Sequence, residues 1–493
     1  FMAYYIGIDC GTQGTKVVVY DPETKTFLGD GYGGHDIISN ERGGREQEPQ
    51  WWIDALDAAM TEALKKMSPG DRGKIAGIGV SGHQHGLVIL DRDKKVLRRA
   101  KLWNDTETAA ANRKYIDAAG GPAGVIAAIG TAIPVGYTVS KLIWLKDAEP
   151  ETFNKIAHVI NPKDYVNFYL TGVIATDAGS ASGTGYFDVI NKTWNDKMVS
   201  LVDPGFKKAL PPIVDDLAAV GTVTGEIAEK YGLSPSCIVA AGSGDNMMAA
   251  VGTGNVEPGV ATMNLGTSGV FSVFTDQRPR DYPEIIQIQN SIPNGWIPTI
   301  CVMNATSSTT AVQELFGLDL AAFDAEMAAA PVGSEGVTMI SFFNGERMPS
   351  LPEARGSLLG LTMTNFTRKN CIRSAAEGVA FGLRWGCDLL REKGVSFRQL
   401  RLVGGGSNSA PWRQIIADVF DAEIIGVQGK EAGAFGGLVQ AMSARGEGSV
   451  PEICAKHIIL NEKKRALPGG EQVKRYEDIY RRYLGLRKEL YQK

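Results

Sequence analysis

The stretch Gly7-Ile8-Asp9-Cys10-Gly11-Thr12-Gln13-Gly14-Thr15-Lys16 gathers a carboxylate, hydroxyls, an ammonium and several glycines. The β-formers Tyr4, Tyr5 and Ile6 precede it and Val17, Val18, Val19 and Tyr20 follow, which predicts strand, tight turn, strand. Glycine lets a main chain approach closely, so such a turn can offer backbone N–H groups to a phosphate. Asp and Gly are also ordinary turn formers, and taken alone the segment could be a plain hairpin. Its echo, Asn264-Leu265-Gly266-Thr267-Ser268-Gly269 ahead of Val270-Phe271-Ser272-Val273, repeats the pattern in the second half. Two such hairpins imply a nucleotide gripped between related lobes, with phosphoryl transfer as the chemistry.

Asp245 is the expected catalytic residue. It follows the apolar run Cys237-Ile238-Val239-Ala240-Ala241 and the small residues Gly242-Ser243-Gly244, and it precedes an apolar helix. A carboxylate at the C-terminal end of a strand, beside a helix N-terminus, faces the cleft of an α/β sheet. The alternative is a helix N-cap serving stability alone. His83 and His85 form a His-x-His unit in a chain with five histidines and no further Cys/His cluster. Hydrogen bonding to a polar ligand suits them better than metal ligation. Trp103-Asn104-Asp105 offers an aromatic wall beside an amide and a carboxylate, a set that suits a polyhydroxylated ligand as well as a packed turn. No Walker-type loop is present, and Gly404-Gly405-Gly406 does not open a dinucleotide-binding turn.

These residues need strands and helices in alternation, and the pattern supplies them: α/β layers are predicted. Gln50–Met67 has helical spacing of Trp51, Trp52, Ala55, Leu56, Ala59, Met60 and Ala63. Ile75–Val80 reads as a buried strand delivering Ser81-Gly82-His83-Gln84-His85-Gly86, and Leu87–Leu90 as another. Leu400–Val403 reads as the strand delivering the late glycine cluster, with a helix over 412–420 and a charged amphipathic helix from about Gly470. A lobe crossover is expected at the helix beginning near Met247, dividing the chain into lobes 1–255 and 256–493.

With 493 residues, 44% hydrophobic and 22% charged, the chain is too long for one core and calls for two domains. A net charge of −4 argues against nucleic acid or an anionic membrane as the target. No apolar run is long enough to span a membrane, and a secretory leader is not expected. Six scattered cysteines without a Cys-x-x-Cys pair read as reduced and buried, which points to the cytoplasm.

The chain resembles the FGGY carbohydrate kinases of the actin-like ATPase superfamily. The resemblance is carried by Asp9–Lys16, Gly136–Asp147, Gly242–Asn246, Asn264–Gly269 and Gly345-Glu346-Arg347. Arg355-Gly356, Gly356–Glu377, Gly404–Asn408 and Glu431–Ala434 continue it, so the match spans nearly the whole chain. Gly82–Gly86, Leu102–Asp105, Pro162–Tyr165 and Thr171-Gly172 are similar to the ketopentose-specific members. Thr106-Glu107-Thr108 and Ala178-Gly179-Ser180 depart from that pattern, at positions expected near the sugar.

The resemblance implies two actin-like (ribonuclease H-like) lobes around a cleft and ATP-dependent phosphorylation of a ketopentose, with D-xylulose the lead candidate. It implies Asp245 as general base and Asp9 as a catalytic group meeting Mg²⁺ through water. Thr12, Gln13, Lys16, Gly266 and Thr267 would hold the phosphates, and Gly405, Gly406 and Asn408 the adenosine. Gln84, His85, Trp103, Asn104, Asp245 and Asn246 would contact the sugar. A homodimer is expected, with no nucleic-acid or membrane partner. A kinase for another pentulose or a polyol, or an actin-like ATPase lacking a sugar site, stays open at this point.

Overall fold

The computed structural model describes residues 3–283, 285–292, 294–429 and 431–491. It contains two large mixed sheets. In the first, Tyr4–Cys10 and Gly14–Asp21 form the predicted hairpin, and Thr26–Gly34 extends it antiparallel. On the other side Ile75–Gly82 runs parallel to Tyr4–Cys10, and Ile238–Ala240 runs parallel to Ile75–Gly82.

The second sheet repeats this order. Gly259–Leu265 and Gly269–Val273 form the hairpin, and Gly295–Val302 extends it. Phe397–Val403 and then Glu423–Val427 add in parallel on the other side. The fold is thus α/β with two lobes built on one plan. The first sheet's last strand is Ser243–Gly244 and the second sheet's first is Gly259–Leu265, with the helix Asp245–Thr253 between them.

Alternation along Tyr4–Cys10 sends its side chains into two cores. Tyr4, Ile6, Ile8 and Cys10 pack with Trp52, Leu56 and Met60 of the helix Pro49–Leu64. Tyr5, on the opposite face, packs with Val18, Ala434, Leu438 and Met442. Ala434, Leu438 and Met442 belong to the helix Ala432–Ala444, so a helix from late in the chain lies against the first sheet. Glycine permits that approach: a Cβ on Gly7 would stand 2.0 Å from Ala434 O, and one on Gly79 would stand 1.9 Å from Gly437 O.

The halves also interlock the other way. Ala178, Ala181, Phe187 and Val189 belong to the core built around the second sheet. The helix Gly470–Tyr491 docks through buried Tyr476, Tyr480 and Tyr483, each in ring contact with Phe381. All six cysteines are free, and Cys301 alone among them is less than fully buried. Among the described residues no helix is long and apolar enough to cross a membrane.

Candidate active site

The parallel register of the first sheet sets Asp9 beside Ser81 and Ser81 beside Ser243. Ser81 Oγ donates to Asp9 Oδ1 at 2.7 Å. Burial raises the Asp9 carboxyl above its ordinary range, against the Ser81 hydrogen bond and the nearby Lys16 ammonium. Asp245 opens the helix Asp245–Thr253, with Gly244 as its cap residue, so the N-cap alternative does not hold. The carboxyl is half-buried, and Asn246 N donates to its Oδ1 at 2.8 Å. Burial first, and then the negative charge of Asp9, push it up to about 7. Two carboxyls that feel each other at the C-terminal end of one sheet hold their protons more tightly than free carboxyls, and a cation-bearing ligand would favour their ionised forms.

The turn after the first strand is closed by Gly11 N donating to Gly14 O at 2.9 Å. Trp103 Nε1 donates to Thr12 Oγ1 at 2.9 Å, tying the expected sugar wall to the expected phosphate turn. Thr12 accepts in that bond, so its own hydroxyl hydrogen stays available to a phosphate oxygen. The Gln13 side chain is exposed while its carbonyl receives Tyr32 OH and His35 N. Lys16 Nζ is not a free cation: it lies 2.7 Å from Glu431 Oε2, just before the helix Ala432–Ala444.

The sugar-side residues form a linked set. Gln84 Oε1 accepts from Asn246 Nδ2 at 3.0 Å and from Gln289 Nε2 of the second half at 3.3 Å. His85 adopts φ 65° and stacks on Tyr137 with ring centroids 4.4 Å apart. Its Nδ1–H donates to Gly183 O at 3.0 Å, which leaves Nε2 as an acceptor. Burial and the Lys141 charge push the imidazole down to about 3, so it stays neutral. Lys141 is itself buried, and its Nζ donates to His85 O at 3.0 Å and to Gly136 O. Asn104 is half-buried with its Oδ1 lacking a protein partner.

His83 does not join this set. Its ring packs edge-on against Trp52 at 5.1 Å, neither nitrogen has a protein partner, and burial pushes it down to about 3. Consecutive odd positions diverge here because the chain leaves the strand and turns sharply at His85.

The two departures from the family pattern are engaged within the protein. Glu107 Oε2 pairs with Lys101 Nζ at 2.7 Å, and Gly179 backs onto Ser243 and Asp177.

In the second half, Thr306 N donates to Gly266 O at 2.9 Å and Ala305 N to Thr267 O at 3.0 Å, so a helix start buttresses the hairpin turn. Gly404, at φ 84°, lies against that turn: a Cβ there would meet Asn264 Oδ1 at 2.4 Å. Gly405 is exposed, with nothing within 4 Å of a would-be Cβ. Gly406 differs from the expectation of an open ligand platform, since its Cβ would sit 2.8 Å from both Leu265 and Trp412. Its bareness serves packing within the protein. Asn408 Oδ1 receives Lys464 Nζ at 2.8 Å.

Sequence reasoning assigned no role to Ser81, Tyr137, Gln289, Glu431 or Arg347. Ser81 and Glu431 stood inside quoted motifs, and their meaning needed the partner across the fold. Arg347, from the second half, makes its charge felt at His85 and Tyr137 of the first, and its Nη1 donates to Cys301 Sγ at 3.6 Å.

Known proteins bear on this geometry. The family profile described as FGGY family of carbohydrate kinases, N-terminal domain, matches residues 4–252, and the corresponding C-terminal profile matches residues 261–445. A xylulose kinase from Haemophilus influenzae is 44% identical over 99% of this chain and 100% of its own length. The crystal structure of a xyloylose kinase from Brucella ovis superposes with TM-score 0.91 at 30% identity, covering 99% of both chains. A gluconate kinase from Lactobacillus acidophilus gives the same TM-score of 0.91 at 24% identity, over 99% of this chain and 98% of that one. Likeness of fold at that level carries no choice of sugar.

Proposed function

This chain belongs to the FGGY family of carbohydrate kinases, and from that premise we propose that it transfers the γ-phosphoryl group of ATP to the 5-hydroxyl of D-xylulose. The substrate is favoured by the 44% identity to a protein named xylulose kinase over its whole length. Gln84, His85, Trp103, Asn104 and Asn246 would hold the ketose, with the neutral His85 accepting a sugar hydroxyl at Nε2.

The observation that carries the reaction is the placement of Asp245, which follows the strand Ser243–Gly244, at the same C-terminal end of the first sheet as Asp9, where the two carboxyls feel each other and Asp245 is pushed up to about 7. A base of that strength is poised to take a proton near neutral pH. As the hydroxyl oxygen bonds the γ-phosphorus, its O–H proton passes to Asp245 and the bond to the β-phosphate oxygen breaks, releasing ADP. Phosphoryl transfer has a loose transition state, so placing the reactants outweighs base strength. Thr12, Gln13, Lys16 and the Gly266-Thr267 turn would grip the phosphates from the two sides, with Gly405 and Asn408 at the adenosine and Gly406 packed behind them.

Among the described residues no cluster of three His, Cys, Asp or Glu side chains could hold a metal unaided. Asp9, bonded on one oxygen by Ser81, fits instead a hydrated Mg²⁺ carried on the phosphates, which would neutralise their charge.

Lobes of 1–255 and 256–493 closing on bound sugar would keep water from the γ-phosphorus. A homodimer acting in the cytoplasm completes the reading, and light scattering in solution checks the dimer. The deciding experiment compares kcat/KM for pentuloses, hexuloses and polyols with purified protein and MgATP. D-xylulose should give the highest value; a higher value for any other acceptor overturns the assignment.

A further inference from the structure

Behind Asp245 lies a polar frame with no part in gripping either substrate. The three residues before Gly244 are each tethered from outside their own strand. Ala241 O accepts from Lys163 Nζ at 2.8 Å and from Asn167 Nδ2 at 2.7 Å. Gly242 N donates to Gln440 Oε1 at 2.8 Å. Ser243 Oγ donates to Asp177 Oδ2 at 2.5 Å. Lys163 closes the frame, its Nζ 2.6 Å from Asp164 Oδ1 and 2.8 Å from Asp177 Oδ1. Lys163, Asp164, Asp177 and Ser243 are all buried.

Two carboxylates and one ammonium in a dry interior are a poor way to gain stability, because desolvation offsets their attraction. Apolar side chains of the same volume often do as well or better. What ions and hydrogen bonds add is direction: each bond has one length and one angle, and apolar contact has neither. The surroundings are shaped to keep that direction. A Cβ on Gly179 would stand 2.2 Å from Ser243 Oγ and 2.9 Å from Asp177 Oδ2.

The far end of the frame leads to the other half of the molecule. Asp177 Oδ2 also accepts from Ser180 N at 3.0 Å, capping the short helix Ala178–Ala181. Ala178 and Ala181 lie in the core around the second sheet. Ser182, which ends that helix, accepts from Asn290 N at 3.0 Å, and its one hydroxyl hydrogen is shared between Ala178 O at 2.7 Å and Asn290 Oδ1 at 3.0 Å. Asn290 sits on the strand Gln287–Ser291 at the edge of the second sheet.

We propose that Asp177 and Ser243, braced by Lys163, form a strut that positions Asp245 relative to the second half of the molecule. The strut runs from Asn290 through Ser182 and the Ala178–Ala181 helix to Asp177, and from Asp177 through Ser243 to the base two residues on. Asp177 and Ser243 are positioning residues, since neither touches a reacting atom. The inference rests on the reading of Asp245 as base.

Ser243→Ala removes one bond with little change of volume. It should lower kcat by about tenfold or more, with KM for D-xylulose and ATP each within about threefold. ADP released per sugar phosphate formed should rise, because a displaced base no longer favours the sugar over water. A role in stability alone would lower the thermal midpoint and leave kcat and the coupling ratio unmoved. A kcat within about twofold of the parent at a temperature where the variant is folded overturns the strut. So does a kcat loss accompanied by a larger rise in sugar KM. Asp177→Asn keeps the side-chain volume, is judged by the same criteria, and stands in should S243A fail to fold. Asp245→Ala run alongside separates the two ideas. Near-parent turnover in D245A removes the base itself, whereas an inactive D245A beside a normal S243A removes only the strut.

Discussion

The two hairpins share one topology and differ in electrostatics. Asp9–Lys16 carries a carboxylate bonded to Ser81 and an ammonium paired with Glu431, and it feels a second carboxylate at Asp245. Asn264–Gly269 carries no charge at all and is buttressed by main-chain hydrogen bonds from the start of the helix Thr306–Leu315. On the proposed reading, the charged groups that meet the phosphoryl group cluster at the first hairpin, with Glu431 reaching in from the second half. The second hairpin is a neutral, backbone-braced turn, which on the same reading would grip the phosphates. Repetition of a fold thus does not entail repetition of its chemistry.

The comparison breaks first at Asp245. Asp245→Ala should lower kcat by roughly 10²–10⁴, the usual range for losing a general base, with nucleotide affinity nearly intact. Coupled ADP release and a nucleotide titration read the two quantities; near-normal turnover would falsify the division of labour.

The next effect is in pH. A base raised to about 7 must be ionised to act, so kcat/KM for the sugar should fall as pH drops through about 7, approaching tenfold per unit. A profile flat from about pH 5.5 to about pH 8 would detach the base from the free-enzyme titration.

In the neutral hairpin the effect should be smaller and of another kind. Thr267→Ala removes the hydroxyl proposed to donate to a phosphate, a hydrogen bond worth about 1.5 kcal/mol, and should raise KM for ATP about tenfold with kcat little changed. A larger loss in kcat than in KM would place chemistry in the second turn as well.

The late glycines sharpen the same contrast. Gly406→Ala, with its Cβ forced to 2.8 Å from Leu265 and Trp412, should cost about 1–3 kcal/mol of stability in a denaturant titration. Gly405→Ala meets open space and should leave stability within about 0.5 kcal/mol. A rise in ATP KM in that variant would then report nucleotide contact.

A modest effect on stability is expected at Asp245. Its folded carboxyl sits near 7, above an unfolded value of about 3.9, so the folded state holds the proton more tightly. Ionised Asp245 therefore opposes folding above pH ~7, and the penalty fades as pH falls toward about 4. Asp245→Asn should stabilise the ligand-free protein by on the order of 1 kcal/mol at about pH 8, the gain shrinking as pH falls. Equal stability of the two proteins across that range would show the carboxyl to be well solvated.

Much of this was legible beforehand wherever one segment carried its own reason. Tyr4–Ile6, Ile75–Val80 and Leu400–Val403 read as strands from their own residues, and the structure places them within Tyr4–Cys10, Ile75–Gly82 and Phe397–Val403. His83 and His85 show the limit. Their spacing suggested a pair, yet one packs under Trp52 and the other stacks on Tyr137, because the chain turns through a left-handed conformation at His85 itself. Gly406 shows it again: a missing side chain reads the same whether a ligand or Trp412 fills the space.

The amino-acid order by itself determined the inventory: which stretches are strands, where the tight turns fall, and which carboxylates, hydroxyls and glycines stand at their ends. Local periodicity and turn geometry are properties of neighbouring residues, so they can be read along the chain. Tertiary structure alone decided the pairings: Ser81 on Asp9 across 72 positions, Glu431 on Lys16, and the Ala432–Ala444 helix against the first sheet. Sheet register and close backbone packing make those choices, and both depend on elements that meet only when the chain has folded.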